Sequence, residues 1–254
     1  MADSFHRLQK ATEDLLVLVP GRYRPVLFQR DFCISLIDNI PSAMCVTNEP
    51  IGATATLIAE RWRESDIVIP RSTAVLLGCA ISSNTLAFTA PSTHPRDREA
   101  YRWLATTAAV PETLLSKMRS ARRRILTKSS IEIVLSDAKI FPTAYGSILM
   151  SQVEAHGASA VAEREDIVEA LNLGKEVLCA PIGLLNLVDT ETNISVIISS
   201  DPEVWKVLKG NLPLRRQTSN TAAVYKIILR KSHLVPILTR HPPKSPFMSS
   251  GKGL

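Results

Sequence analysis

Between Pro111 and Lys128 the apolar residues recur at helical spacing, and much of the remainder is cationic. At 100° per residue, Leu114, Met118, Ala121 and Ile125 fall within about 60° of one another, with Leu115 and Leu126 at the edges. Lys117, Arg119, Arg123, Arg124 and Lys128 lie outside that arc, whereas Arg122 projects near its apolar edge and must snorkel. No acid stands between Glu112 and Glu132. Any fold of this chain must therefore bury one side of a helix and leave a dense cationic side exposed. Like charges crowded on a short helix repel, and an anionic partner relieves that cost: RNA phosphates, anionic lipid headgroups or a nuclear import receptor. Stacking aromatics are absent from Lys117 to Lys128, which disfavours base-specific reading of single strands.

Charge is sorted along the whole chain. Of 30 basic and 24 acidic side chains, residues 1–110 hold 11 of each, 111–130 hold 6 and 1, 131–204 hold 3 and 12, and 205–254 hold 10 and none. Such segregation suits charged partners or head-to-tail association of copies of the chain, with Glu163, Glu165 and Asp166 as the acidic docking face.

Several function classes are disfavoured. Met1 to Lys10 carries Asp3 and no apolar signal core, and the uncharged stretch from Ser72 to Pro95 is interrupted by Ser82-Ser83-Asn84-Thr85. The cysteines Cys33, Cys45, Cys79 and Cys179 form no CxxC, so reduced thiols are expected. There is no Gly-rich phosphate loop, GxSxG, HExxH or DxD, and the five histidines are far apart. No catalytic residue, metal site or cofactor is expected. Glu163 to Asp166 reads as a solvated face or cation dock rather than an acid–base pair.

Pro20-Gly21, the 39–52 stretch, Ala90 to Pro95 and Ala180 to Gly183 break the pattern, and the His241–Leu254 tail is Pro-, Ser-, Gly- and Lys-rich. Helical periodicity dominates between the breaks. Two β-branched runs, Ile131 to Leu135 and Ile194 to Ile198, read locally as strands.

The ordered landmarks resemble the orthomyxovirus matrix proteins. Leu15 to Pro20 is similar to that family's first helix. Ala59-Glu60-Arg61-Trp62-Arg63, through Ile67 to Pro70 and Val75 to Gly78, resembles its Trp-containing helix and the buried helix after it. Leu86 to Ser92 resembles the apolar segment closing on a Pro-Ser turn, Arg96 to Arg102 the Arg-rich helix start, and Arg119 to Ile125 the basic nuclear-localisation and RNA- or lipid-binding helix. Ile131 to Ser136 and Tyr145 to Met150 resemble the small-residue helix that follows. The family's Cys/Cys/His/His cluster has only His156 and Cys179 here, so no zinc is expected.

This resemblance implies an all-α, two-domain protein with both strand-like runs helical. The amino-terminal domain, two packed four-helix units, would span 1–179, followed by a linker at 180–184, a helical carboxy-terminal domain at 185–240 and a disordered basic tail at 241–254. It implies a non-enzymatic viral matrix protein that oligomerises beneath the virion envelope and also visits the host cytoplasm, nucleus and inner plasma membrane. Its partners would be itself, anionic lipids, the ribonucleoprotein and its RNA, and the nuclear import and export machinery. Lys117, Arg119, Arg122, Arg123, Arg124 and Lys128 would carry the anion contacts, assisted by Arg96, Arg98 and Arg102. The residues alone leave two alternatives: a helical nucleic-acid-binding adaptor, or an enzyme whose site assembles from distant residues.

Overall fold

A computed structural model describes residues 26–29, 45–65, 67–108, 112–143 and 146–239. The helix expected near the amino terminus and the basic tail at 241–254 lie outside the described residues. The chain divides into two compact units, Met1–Leu115 and Ser116–Leu254.

In the first unit a parallel strand pair, β1 (Val26–Gln29) and β2 (Cys45–Asn48), precedes three helices: α1 (Thr54–Glu64), α2 (Arg71–Asn84) and α3 (Pro95–Ala108). Small residues dominate the helical core: Ala53, Ala59, Ala74, Ala100 and Ala108 surround Ile58, Trp62, Leu77, Ile81 and Leu104. The start of α1 has no side-chain cap of its own. Asp97, in the first turn of α3 and fully buried, supplies one from a distance. Its carboxylate accepts from Gly52 N (3.0 Å), Ala53 N (3.2 Å), the Thr56 hydroxyl (2.6 Å) and His94 N (2.7 Å). It thus satisfies orphan amide donors at two helix starts at once. Gly52 is required there, because a Cβ would stand 2.4 Å from Asp97 Oδ2. Beyond α2, three consecutive non-glycine residues adopt positive φ: Leu86 (50°), Ala87 (54°) and Phe88 (70°).

The second unit overturns the all-α expectation. It holds a six-stranded mixed sheet in the order β3-β4-β5-β6-β8-β7. The strands are β3 (Ala138–Thr143), β4 (Gly146–Ala155), β5 (Ile182–Asp189), β6 (Ile194–Ile198), β7 (Arg215–Arg216) and β8 (Thr221–Val224). Only β4 and β5 pair in parallel, and their crossover carries α6 (Ile167–Val177); the other neighbours are antiparallel. The linker expected at 180–184 falls at the start of β5, whose eight residues are all buried. A strand with helices on both faces reads as a continuous apolar run, which is what Ile182 to Val188 is, Gly183 and Asn186 aside.

Alternation along the strands separates two cores. Leu149, Val153, Leu185, Leu187, Val196 and Ile198 face α5 (Ser130–Ser136) and α6. Ile148, Met150, Leu184, Ile197 and Val224 face α7 (Pro202–Lys209) and α8 (Val235–Thr239). Of the two strand-like runs, Ile194–Ile198 is a strand, against the resemblance, and Ile131–Leu135 is helical. The Glu132 carboxylate decides the latter, accepting from Ser129 N (3.0 Å) and the Ser129 hydroxyl (2.7 Å) to lock the first turn of α5. The basic segment forms α4 (Glu112–Arg123), continued by a 3₁₀ turn over Arg124–Thr127.

Candidate functional site

After β8 the chain turns back across the sheet as an extended strap. Successive strands hold it by one polar side chain each. Ile228 N donates to Ser195 Oγ on β6 (2.8 Å), Asn186 Nδ2 on β5 donates to Ile228 O (2.8 Å), and Arg230 N donates to Gln152 Oε1 on β4 (2.6 Å). Asn186 also donates to Gln152 Oε1 (3.0 Å), so the two strand side chains brace each other. The strap then enters a single π turn, Arg230–Leu234, in which Leu229 N donates to His233 Nδ1 (3.0 Å). With Nδ1 accepting, the proton of the neutral ring sits on Nε2. Burial pushes the His233 pKa down, and nearby Lys226 adds to that shift.

The strap delivers Arg230, buried at 4% exposure. One guanidinium nitrogen donates to the carbonyls of Asp137 and Met150 (3.0 Å for the latter), and another to Asp137 Oδ2 (2.8 Å). The Nε of Arg230 and the Oδ1 of Asn186 are buried and have no protein partner. Lys139 Nζ lies 3.9 Å from Asp137 Oδ1. Burial lowers the Lys139 pKa; Asp137 opposes the shift, and the charges of Arg230 and Lys231 reinforce it. Lys231 is exposed. Two cations, Arg230 and Lys139, thus meet one carboxylate, and the charge of Lys231 acts on Lys139. The excess positive charge on a rigid floor suits a compact, multiply charged oxyanion.

The residues expected from sequence to bind anions are dispersed. Lys117, Arg119, Arg123 and Arg124 are exposed. Arg122 pairs with Glu154 at 3.6 Å, as its place at the apolar edge requires, and Glu154 accepts from Gln152 Nε2 at 2.7 Å. Lys128 is partly buried, and its carbonyl accepts from Arg164 (2.8 Å). Arg96, Arg98 and Arg102 belong to the other unit. Arg96 forms ion pairs with Glu60 and Glu49, which hold it protonated, and Arg98 donates to Phe88 O (2.8 Å) while covering the Phe88 ring at 5.1 Å. Arg102 is exposed. Of the acidic face, Glu163 and Glu165 are exposed and Asp166 accepts from the Ser130 hydroxyl (2.6 Å). Sequence reasoning placed Arg230 and Lys231 only within a general basic region. Their partners at 137, 150, 152 and 186 leave no short-range spacing to read.

No protein-family profile matches the chain. It is 31% identical over 195 residues to the manganese-dependent inorganic pyrophosphatase of Bacillus subtilis, covering 75% of this chain and 62% of that protein. It is 32% identical over 195 residues to the probable manganese-dependent inorganic pyrophosphatase of Clostridium acetobutylicum, covering 76% and 62%. The chain therefore spans less than two thirds of the length of the curated relatives it matches. Among solved structures, the putative family II inorganic pyrophosphatase of Methanococcus jannaschii superposes with a TM-score of 0.67 at 23% identity, covering 80% of this chain and 68% of that one. That likeness establishes the α/β fold.

These findings overturn the matrix-protein resemblance, with the all-α fold and the structural viral role drawn from it, and they do not support a helical nucleic-acid-binding adaptor either. Short apolar and basic strings in a matching order are common to many helical surfaces, whereas 195 aligned residues and a superposition over 80% of the chain are not. The non-enzymatic expectation falls because the matched proteins are enzymes by name. The virion and envelope location falls with the resemblance. The relatives' names specify manganese. Among the described residues no three His, Cys, Asp or Glu side chains converge as a metal site requires, so these residues do not fit a manganese centre.

Proposed function

We propose that the chain is a phosphoanhydride-cleaving protein of the pyrophosphatase kind, and that Lys139, Arg230 and Lys231 grip the phosphate groups of inorganic pyrophosphate. The observation that carries this is the buried Arg230, fixed by Asp137 and the strap with neighbouring cations in excess. The similarity to named pyrophosphatases supports it. Phosphoryl transfer asks a protein mainly for positioning and charge stabilisation, so a preorganised cation cluster is the part such chemistry needs. Arg230 acts as a fixed charge, because its fork is already engaged. Lys139 and Lys231 supply the N–H donors that follow the phosphate oxygens.

Calorimetric titration with pyrophosphate and with non-hydrolysable imidodiphosphate, alongside a phosphate-release assay in manganese, tests the reading. Both ligands should bind, and Lys231→Ala should weaken them about tenfold, the equivalent of one charge-assisted hydrogen bond. Absence of binding, or binding indifferent to Lys231→Ala and Arg230→Lys, overturns it.

A further inference from the structure

The turn that delivers Arg230 is closed from both sides by one residue, His233. Leu229 precedes this π turn in extended conformation, with φ −107° and ψ 142°. Its carbonyl accepts from His233 N (3.0 Å) and Leu234 N (3.3 Å), while its own N–H donates to His233 Nδ1 (3.0 Å). Both polar groups of the Leu229 main chain are therefore held by the residue four positions on, which sets the direction in which the chain enters the turn. Arg230 comes next, with its N–H on Gln152 and its guanidinium on Asp137. A single π turn is rare, and such turns are frequent at functional sites.

This hold depends on the charge state of the ring. A main-chain N–H only donates, so the ring nitrogen that faces it must carry no proton. Protonation of His233 sets a second N–H against that of Leu229, which is buried at 8% exposure and then loses its acceptor. The turn runs on into α8, which carries no charge and packs on β3 and α7. The charged groups on these elements are Asp137 and Lys139 at β3 and Glu203, Lys206 and Lys209 on α7; Lys226 lies on the strap, and Arg230 and Lys231 in the turn itself. Glu203 is taken by Lys206 (3.5 Å) and Asp137 by Arg230. Lys226 acts on the ring in the same direction as burial, and together they favour its neutral form. We propose, on the pyrophosphate reading of this cation cluster, that His233 is a positioning residue for the phosphate site: only its neutral ring fixes the strap so that Arg230 stands in place. The ring acts through Leu229 and the main chain of Arg230, without touching the phosphate.

Calorimetric titration of the full chain with inorganic pyrophosphate, from about pH 8 down to about pH 5 and so below the ordinary imidazole value, tests this with two variants. His233→Asn carries an acceptor oxygen on Cγ, where the ring carries Nδ1, and takes up no proton. It should match the parent within about twofold at the alkaline end and bind more tightly than the parent as the pH falls. The ratio should reach about tenfold once the parent's ring is protonated, the equivalent of one hydrogen bond. Comparing the two chains at each pH cancels the protonation of pyrophosphate itself. His233→Leu has no acceptor at any pH and should bind about tenfold more weakly than the parent at the alkaline end, with the gap closing on acidification. Amide hydrogen exchange of the free proteins should show Leu229 protected in the parent and in His233→Asn, and less protected in His233→Leu. Where His233→Leu does not fold, the comparison with His233→Asn decides alone. An identical pH dependence in the parent and His233→Asn overturns the inference and leaves pyrophosphate binding standing. So does a parent that gains on His233→Asn in acid, because that sign means the protonated ring meets the phosphate directly. Absence of pyrophosphate binding by the parent removes the phosphate reading, and this inference with it.

Discussion

Gln152 and Arg230, 78 positions apart, meet where Gln152 Oε1 accepts the Arg230 main-chain N–H at 2.6 Å. The same oxygen accepts from Asn186, and the amide nitrogen of Gln152 donates to Glu154, the partner of Arg122. One amide therefore joins three strap and strand elements and reaches the end of the basic helix. Gln152→Leu leaves the Arg230 N–H and one Asn186 donor unpaired. It should cost about 1–3 kcal/mol of stability in urea denaturation, the usual penalty for an orphaned buried group. Pyrophosphate affinity should fall as well, because Arg230 loses its fixed position. Unchanged stability and affinity would show that the strap is held elsewhere.

Lys139 is stressed by its surroundings before any ligand arrives. Burial disfavours its charged form, and Arg230 and Lys231 add repulsion that Asp137 only partly offsets. A folded-state pKa below the unfolded one means a penalty that is fully present below the folded value and is relieved as the pH rises from that value to the unfolded one. Lys139→Met should therefore raise the neutral-pH melting temperature, with the gain vanishing toward alkaline pH. The same substitution should weaken pyrophosphate binding. Opposite signs in melting and titration are the signature of a functional cation.

The sequence disclosed local features more readily than assembled ones. The helix at Pro111–Lys128 and the snorkelling of Arg122 follow from spacing alone, and the structure has α4 with Arg122 on Glu154. Ile194–Ile198 was legible as a strand from its β-branching, and was misassigned only when a family pattern replaced the local reading. Ile131–Leu135 carried an opposing signal, the Ser129-x-x-Glu132 box, which sets a helix start despite β-branched residues. The cation cluster was not legible. Its members are joined by side-chain bonds across four strands, whose order in the sheet is not printed in local periodicity.

Ala87 occupies the middle of the left-handed run Leu86–Phe88, with φ of 54°. An L-residue there costs about 1–2 kcal/mol, and glycine does not. The run is held by Ala87 N to Ser82 O (2.8 Å), Ala90 N to Thr85 O (2.9 Å) and the Thr85 hydroxyl to Ile81 O (2.7 Å). Because Ala87 is exposed, Ala87→Gly removes strain without leaving a cavity. Chemical denaturation should show a gain of about 1 kcal/mol, after the entropy that glycine restores to the unfolded chain is subtracted. A loss would mean that the run is not strained.

Gly174 sets the approach of α6 to the rest of its layer. A Cβ at this position would stand 2.8 Å from Val134 Cγ1 on α5 and 3.4 Å from Leu149 Cδ2 on β4. Both neighbours are fully buried. Gly174→Ala raises intrinsic helix propensity, but the overpacking should dominate and destabilise by about 1–3 kcal/mol. Gly174→Ala combined with Val134→Ala should recover part of the loss, and an additive double variant would argue against the contact.

Asp189 closes β5 and gathers the chain on both sides of it. Burial alone would raise its pKa. The Ser159 hydroxyl (2.6 Å) and the N–H groups of Glu191 (2.9 Å), Gly157 (3.1 Å) and Ser159 (3.3 Å) outweigh burial and hold the carboxyl below its ordinary value. A depressed carboxylate pKa contributes stability that is present above the unfolded value and lost as the pH falls through the folded one. Asp189→Asn should thus cost roughly 2 kcal/mol at neutral pH, in the range for hydrogen bonds to a charged acceptor. The difference from the parent chain should stay constant down to about pH 5 and shrink below it, as protonation removes the same charge from the parent. Parallel melting curves across the whole acid range would place the stabilising charge on another carboxylate.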